Sequence, residues 1–177
     1  NGVITGITGT LNDITERQEA LDALKKNEIR FRTLFENMYD GAAIYRAETD
    51  GDNFVFQDIN KSGETLSRVR KAEIINQRIT DVFPGVRSMG LFDVLQRVYM
   101  TGKTEKLPIT QYRDDRISEW VDNTVFRLPS NEVVAVYRDE TQRHAAEDEV
   151  RKINRELEKR VAERTKKLRE SNEELED

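Results

Sequence analysis

One histidine and no cysteine limit the chemistry open to this chain. The histidine, His144, stands in QRHAAEDE, a charged stretch that supplies no serine–histidine–aspartate set for nucleophilic catalysis. The nine glycines are scattered among turn-like segments and form no loop that could cradle a phosphate. Without thiols there are no disulfides, thiolate metal sites or cysteinyl adducts. No catalytic residue and no metal ligand is therefore expected in this segment. The polar residues with a readable task are helix caps. DITER begins at Asp13 and DETQR at Asp139, each with Thr two residues after Asp and Arg two after Thr. Asp and Thr oxygens can accept hydrogen bonds from the free N–H groups of a first helical turn. Asp139 and Thr141 are thus expected to join the last strand of a sheet to a following helix.

These caps need elements to hold them. At 177 residues, with 36% hydrophobic and 36% charged residues, the chain has room for one modest core between highly charged flanks. The net charge of −5 mixes both signs, so no nucleic-acid partner is expected. No run of ~18 apolar residues occurs, and the start lacks the basic and apolar regions of a signal peptide. A first residue other than Met points to a piece of a longer chain, and the lack of cysteine fits the reducing cytoplasm.

Residues 1–15, rich in Gly and Thr, resemble the end of a strand. In 16–38, Leu21, Leu24, Phe31, Phe35 and Met38 recur at helical spacing, with Asp13 or Thr15 as N-cap. Residues 39–140 alternate differently. DGAAIYRAE and NFVFQDIN flank the turn TDGD, short helical fragments follow up to Pro84-Gly85, and MGLFDVLQRVYMTGK reads as an amphipathic helix closed by Gly102. The strand candidates EKLPITQYR, SEWVDNTVFRL and EVVAVYR complete the order: two strands, helices, three strands. Strands segregated from helices predict an α+β fold, an antiparallel sheet with helices on one face.

The tail, 141–177, has no Gly and no Pro. With Asn154, Val161, Leu168 and Leu175 at position a of a heptad, position d holds Val150, Leu157, Arg164 and Ser171. Val150, Leu157, Val161, Leu168 and Leu175 would form the seam of a weak parallel homodimer, with Asn154 setting register. The alternative is a single solvated helix with many i,i+4 charge pairs.

This order resembles a PAS sensor domain. The resemblance is carried by NEIRFRTLFENMYDGAAIY, INKSGETLSRVRKAEIINQRITDVFP, Trp120 on the penultimate strand, and the DITER and DETQR exit phrases. It implies a five-stranded antiparallel PAS sheet flanked by an N-terminal amphipathic helix and a long C-terminal coiled-coil helix. Residues 1–15 would then end an upstream PAS domain. The tail resembles the linker to the dimerisation helices of a sensor histidine kinase, which implies a downstream kinase domain in the same chain. A diguanylate cyclase output, or a ligand-free dimerising spacer, remains the alternative. The resemblance also implies a pocket for a small molecule. Its candidate lining is Phe56, Leu66, Ile79, Phe83, Phe92, Leu95, Ile109, Trp120 and Phe126, with Asn60 at the INKSG junction. On SEWVDNTVFRL, Val121 and Val125 are read as the inward face, with Phe126 turned in at the strand's end. Tyr45, Tyr112, Arg113 and Asn123 are polar residues within reach of such a pocket, although Asn60 reads more strongly as a turn or helix cap. The cofactor is open. His-ligated haem lacks a histidine on the helix before the third strand, and the absence of cysteine argues against cysteinyl-flavin and iron–sulfur clusters.

Overall fold

The computed structural model describes residues 8–176, with side chains described for Ile14 and for 16–167. The elements run α1 (Thr8–Glu36), β1 (Gly41–Glu48), β2 (Asn53–Ile59), α2 (Lys61–Ser67), α3 (Lys71–Ile74), α4 (Ile79–Val82), α5 (Leu91–Thr101), β3 (Glu105–Arg113), β4 (Ser118–Arg127), β5 (Val133–Asp139) and α6 (Thr141–Glu176). The strands form one antiparallel sheet of five in the order β2-β1-β5-β4-β3.

Local chemistry sets most boundaries. The β1–β2 connection is the expected Asp-Gly turn, with Gly51 at φ +96°, a conformation glycine tolerates without strain. Leu91–Thr101 is bracketed by Gly90 and Gly102, both left-handed, and the Gly102 N–H donates to the Val98 carbonyl at 2.8 Å. The ladder between β3 and β4 slips between Leu107 and Thr110. Pro108 stands in that gap, having no N–H to donate, and β3 is an edge strand where such a gap costs least.

The two sheet faces are covered differently. One packs Ala43, Tyr45, Phe54, Phe56, Val125, Val133 and Ala135 against α3, α4 and α5 as the main core. The other gathers Ala42, Ile44 and Val134 with the half-buried Phe126, Leu128 and Val136 under Phe35, from the end of α1. Among the described side chains of α1, those at that end are the anchored ones. Phe35 is buried, and Arg32 pairs with Asp58 at 2.7 Å, but Leu21, Leu24, Ile29 and Leu34 are exposed. The expected stripe on 16–38 therefore buries one residue of five; Phe31 merely stacks on Phe35 at 5.5 Å.

The helix also starts earlier than expected. α1 begins at Thr8, so Asp13 and Thr15 fall inside it rather than at its N-cap, and 8–15 are not the end of a strand. Between Leu11 and Asp40 the sequence has no Gly or Pro, so nothing breaks a helix there. Residues 1–7 of the proposed upstream domain end lie outside the described residues.

Candidate functional site

Between the sheet and the helical layer lies a cavity of about 70 Å³. Its apolar wall comes from Phe56, Leu66, Ile79, Phe83, Val86, Met89, Leu91, Ile117 and Ala135. Its polar lining comes from Tyr45, Ser67, Tyr112, Glu119, Asn123, Tyr137 and Asp139. Strand alternation explains the β4 contribution: Glu119, Val121, Asn123 and Val125 share the inward face.

The phenols are held neutral. Burial pushes Tyr45 well above its ordinary value, and Tyr137 up to about 12, against a hydrogen bond of 2.7 Å shared with Ser67. Burial and the Asp114 carboxylate also raise Tyr112. Its hydroxyl donates to Asp114 Oδ2 at 2.7 Å. Burial alone would raise the Asp114 carboxyl. That bond, the amides of Arg116 and Ile117, and the Arg116 guanidinium instead hold it at about 2.

Two carboxylates stand at the exit end of the cavity, Glu119 half-buried and Asp139 at its solvent-exposed mouth. Burial and the nearby Asp139 charge raise Glu119, while Arg68, 3.2 Å away at the end of α2, works the other way. Asn123 is only 2% exposed, yet its Nδ2 has no hydrogen-bond partner.

Asp139 belongs to a second constellation as well. Its Oδ1 accepts from the Thr141 N–H at 2.8 Å, at the first residue of α6. The Thr141 hydroxyl does not cap its own helix. Its Oγ1 accepts from the Trp120 N–H of β4 at 2.9 Å, and the Glu140 N–H donates to the Trp120 carbonyl at 2.7 Å. One turn on, the His144 ring stacks on Trp120 with centroids 3.9 Å apart and planes within 7°. The start of α6 is thereby fixed to the strand that carries Glu119 and Asn123.

No family model matches the chain. A curated protein, the methyl sulfide methyltransferase-associated sensor of Methanosarcina acetivorans, is 31% identical over 87 residues, which are 49% of this chain and 8% of that protein. The chain thus spans less than a tenth of that relative. Among solved structures, a domain of a sensory box sensor histidine kinase/response regulator from Geobacter sulfurreducens superposes with a TM-score of 0.51 at 19% identity, covering 66% of this chain and 96% of that one. An RNA-binding light-oxygen-voltage receptor superposes with a TM-score of 0.52 at 12% identity, covering 87% of this chain and 40% of that one. The strand order β2-β1-β5-β4-β3, with every helix of the inner layer between β2 and β3, completes the comparison. The chain has the PAS fold.

Within this PAS cavity stand Phe56, Leu66, Ile79 and Phe83 of the expected lining. The other candidates are elsewhere. Phe92 and Leu95 are fully buried in the main core but outside the cavity, with Phe92 edge-on to Phe54 at 5.9 Å. Ile109 follows Pro108 in the slipped part of β3, half-buried and off the lining. Trp120 and Phe126 occupy the opposite face of the PAS sheet, because β4 alternates through to Arg127 without a bulge in its pairing with β5. The inward turn expected of Phe126 does not occur.

Asn60 is a clamp and does not touch the cavity. Its Oδ1 accepts from the Ala42 and Gly63 N–H groups at 2.9 and 2.8 Å, and its Nδ2 donates to the carbonyls of Phe35 and Asp40, both at 3.0 Å. It is the N-cap of α2 and joins the end of α1 to β1. Of the polar residues named from sequence, Tyr45, Tyr112 and Asn123 line the cavity, whereas Arg113 is exposed. Glu119 and Asn123 carried a usable signal: they alternate with Val121 and Val125.

Proposed function

We propose that the chain is the sensing and transmitting segment of a sensor histidine kinase. A small molecule, or a signal from a neighbouring domain, biases the packing around the cavity, and the bias passes into α6. One observation carries this reading: Asp139 lines the cavity and also accepts from the first N–H of α6, so a single side chain serves both. A change that moves Asp139 or the inward face of β4 alters the hold on Thr141 and Trp120. It therefore shifts the population of output-helix states.

Transmission is taken to run through a homodimer of the flanking helices, in the cytoplasm, toward a kinase domain in the same protein. Along α6, Val150, Ile153, Leu157 and Val161 are each more than half exposed, an apolar stripe with nothing on it in the single chain. Ile153 lies beside the expected seam, at position g of that heptad, while Leu168 and Leu175 lie outside the described side chains. Among the described residues no helix is long and apolar enough to cross a membrane.

Native mass spectrometry of the 177-residue chain tests the proposal. A dimeric mass is expected, with a larger dimer fraction when Arg164→Leu and Ser171→Leu are combined. A monomer at micromolar concentration, unchanged by those substitutions, removes the dimeric-helix route. A dimer whose α6 amide exchange is insensitive to Asp139→Asn favours a spacer that only pairs its neighbours.

A further inference from the structure

The cavity has a chemical bias of its own. Asn123 is 2% exposed and its amide Nδ2 lacks a partner. A buried amide hydrogen left without an acceptor is costly, and native structures rarely keep one without reason. Around it the walls are mostly apolar. At the exit end stand two carboxylates, Glu119 and Asp139, with one guanidinium, Arg68, paired to Glu119. Among the described residues Asp139 has no cationic partner, so this end of the cavity carries excess negative charge.

We propose that the cavity takes a small, uncharged, largely apolar molecule with a single hydrogen-bond acceptor, held by Asn123, and rejects organic acids. This rests on reading the cavity as the sensing site. The acceptor satisfies Nδ2. An anion would meet Glu119 and Asp139 with only Arg68 to offset them. Burial first, and the Asp139 charge after it, already oppose ionisation of Glu119, and a ligand carboxylate beside it would meet both. A cation would be drawn to the carboxylates but could not accept from Nδ2, and it would lose its water among phenylalanine and isoleucine side chains. Size narrows the class further. An apolar cavity of about 150 Å³ holds a benzene molecule, so about 70 Å³ admits a molecule of only a few heavy atoms without rearrangement.

Four planar molecules with four heavy atoms each separate these terms: acetone, acetate, acetamidinium and 2-methylpropene. Each is titrated at neutral pH into the full chain labelled with nitrogen-15, following amide shifts of the cavity strands. Acetone is expected to shift the amides around Asn123 and Ala135 with an affinity at least tenfold above acetate and acetamidinium, and about fivefold above 2-methylpropene. Asn123→Leu keeps the forked shape and heavy-atom count with bulkier methyls, so it lowers the affinity of both equally shaped ligands but should erase the preference for acetone over 2-methylpropene. Glu119→Gln should narrow the gap between acetone and acetate at least threefold, and it serves as the reporter if Asn123→Leu does not fold. Acetate or acetamidinium binding as well as acetone overturns the ligand class while leaving the cavity as the sensing site. Equal binding of acetone and 2-methylpropene overturns the role of Asn123. If none of the four shifts a cavity amide, the cavity is not a binding site, and both this inference and ligand sensing fall.

Discussion

Replacing Asn60 by Ala removes four hydrogen bonds made by one fully buried side chain. The loss leaves two buried N–H donors, of Ala42 and Gly63, with nothing to accept them, and takes a donor from the Phe35 and Asp40 carbonyls. An unsatisfied buried group costs about 1–3 kcal/mol. The donors bear most of that cost, because a carbonyl keeps a second lone pair for other partners. The expected loss is about 3–5 kcal/mol, near half the stability of an ordinary domain. For a body of roughly 100 ordered residues this lowers Tm by about 20 °C. Asn60→Asp separates hydrogen bonding from shape. Ionised, it still accepts from Ala42 and Gly63, but it turns a buried negative charge toward two carbonyl oxygens, so at pH 7 it should be no better than alanine. Protonated, it regains one donor and should recover part of the loss below about pH 5. Urea and thermal unfolding followed by circular dichroism measure both variants. An Asn60→Ala protein within 1 kcal/mol of wild type would refute the clamp, and so would an Asn60→Asp protein with no acid recovery.

Gly63 faces Asn60 from the other side. A Cβ there would stand 2.7 Å from Ile59 Cγ1 and 3.0 Å from both Asn60 Oδ1 and the Tyr137 hydroxyl, so Gly63→Ala should cost about 1–3 kcal/mol in a urea melt. Thr141→Val keeps the shape but strips the acceptor from the Trp120 N–H. A loss of about 1–2 kcal/mol is expected, with faster amide exchange confined to Trp120 and the first turn of α6. The Asp114 carboxyl sits at about 2 against an ordinary 3.8. A depressed carboxylate stabilises above its unfolded value and loses that stabilisation as pH falls through its folded one. Acid titration should therefore remove about 1–2 kcal/mol between pH 4 and 2, and Asp114→Asn should flatten that window. Glu119 has the opposite sign: its raised value favours folding on the acid side, so Glu119→Gln should be at least as stable as wild type at pH 7.

The elements were legible wherever backbone chemistry punctuates the chain. Gly90 and Gly102 bracket α5, TDGD turns β1 into β2, and Pro129, Ser130 and Asn131 sit between β4 and β5. The faces of β4 were half legible. Val121 and Val125 mark the inward side, but the expectation that Phe126 turns in at the strand's end does not follow from alternation. It is half-buried on the other face, because the sheet has a second apolar surface under Phe35 that alternation alone does not reveal. Phe92 and Leu95 show a different limit: core and cavity use the same apolar residues, and only three-dimensional packing decides which of them border empty space. Thr141 was read from sequence as a cap on its own helix. Its true acceptor role, toward Trp120, depends on the lateral pairing of β4 with β5, which sequence order does not display.

Gly41 pairs with Tyr137, two residues before β5 ends. The chain therefore enters and leaves the sheet at one end, on neighbouring central strands, and the body hangs from that doorway like a bead on a looped thread. Such a body can be duplicated or excised as a unit while the helices on either side keep their attachment points. An array of these domains can thus lengthen or shorten over evolution without redesigning its junctions. A repeated phrase, DITER before the body and DETQR after it, is the textual trace such copying would leave.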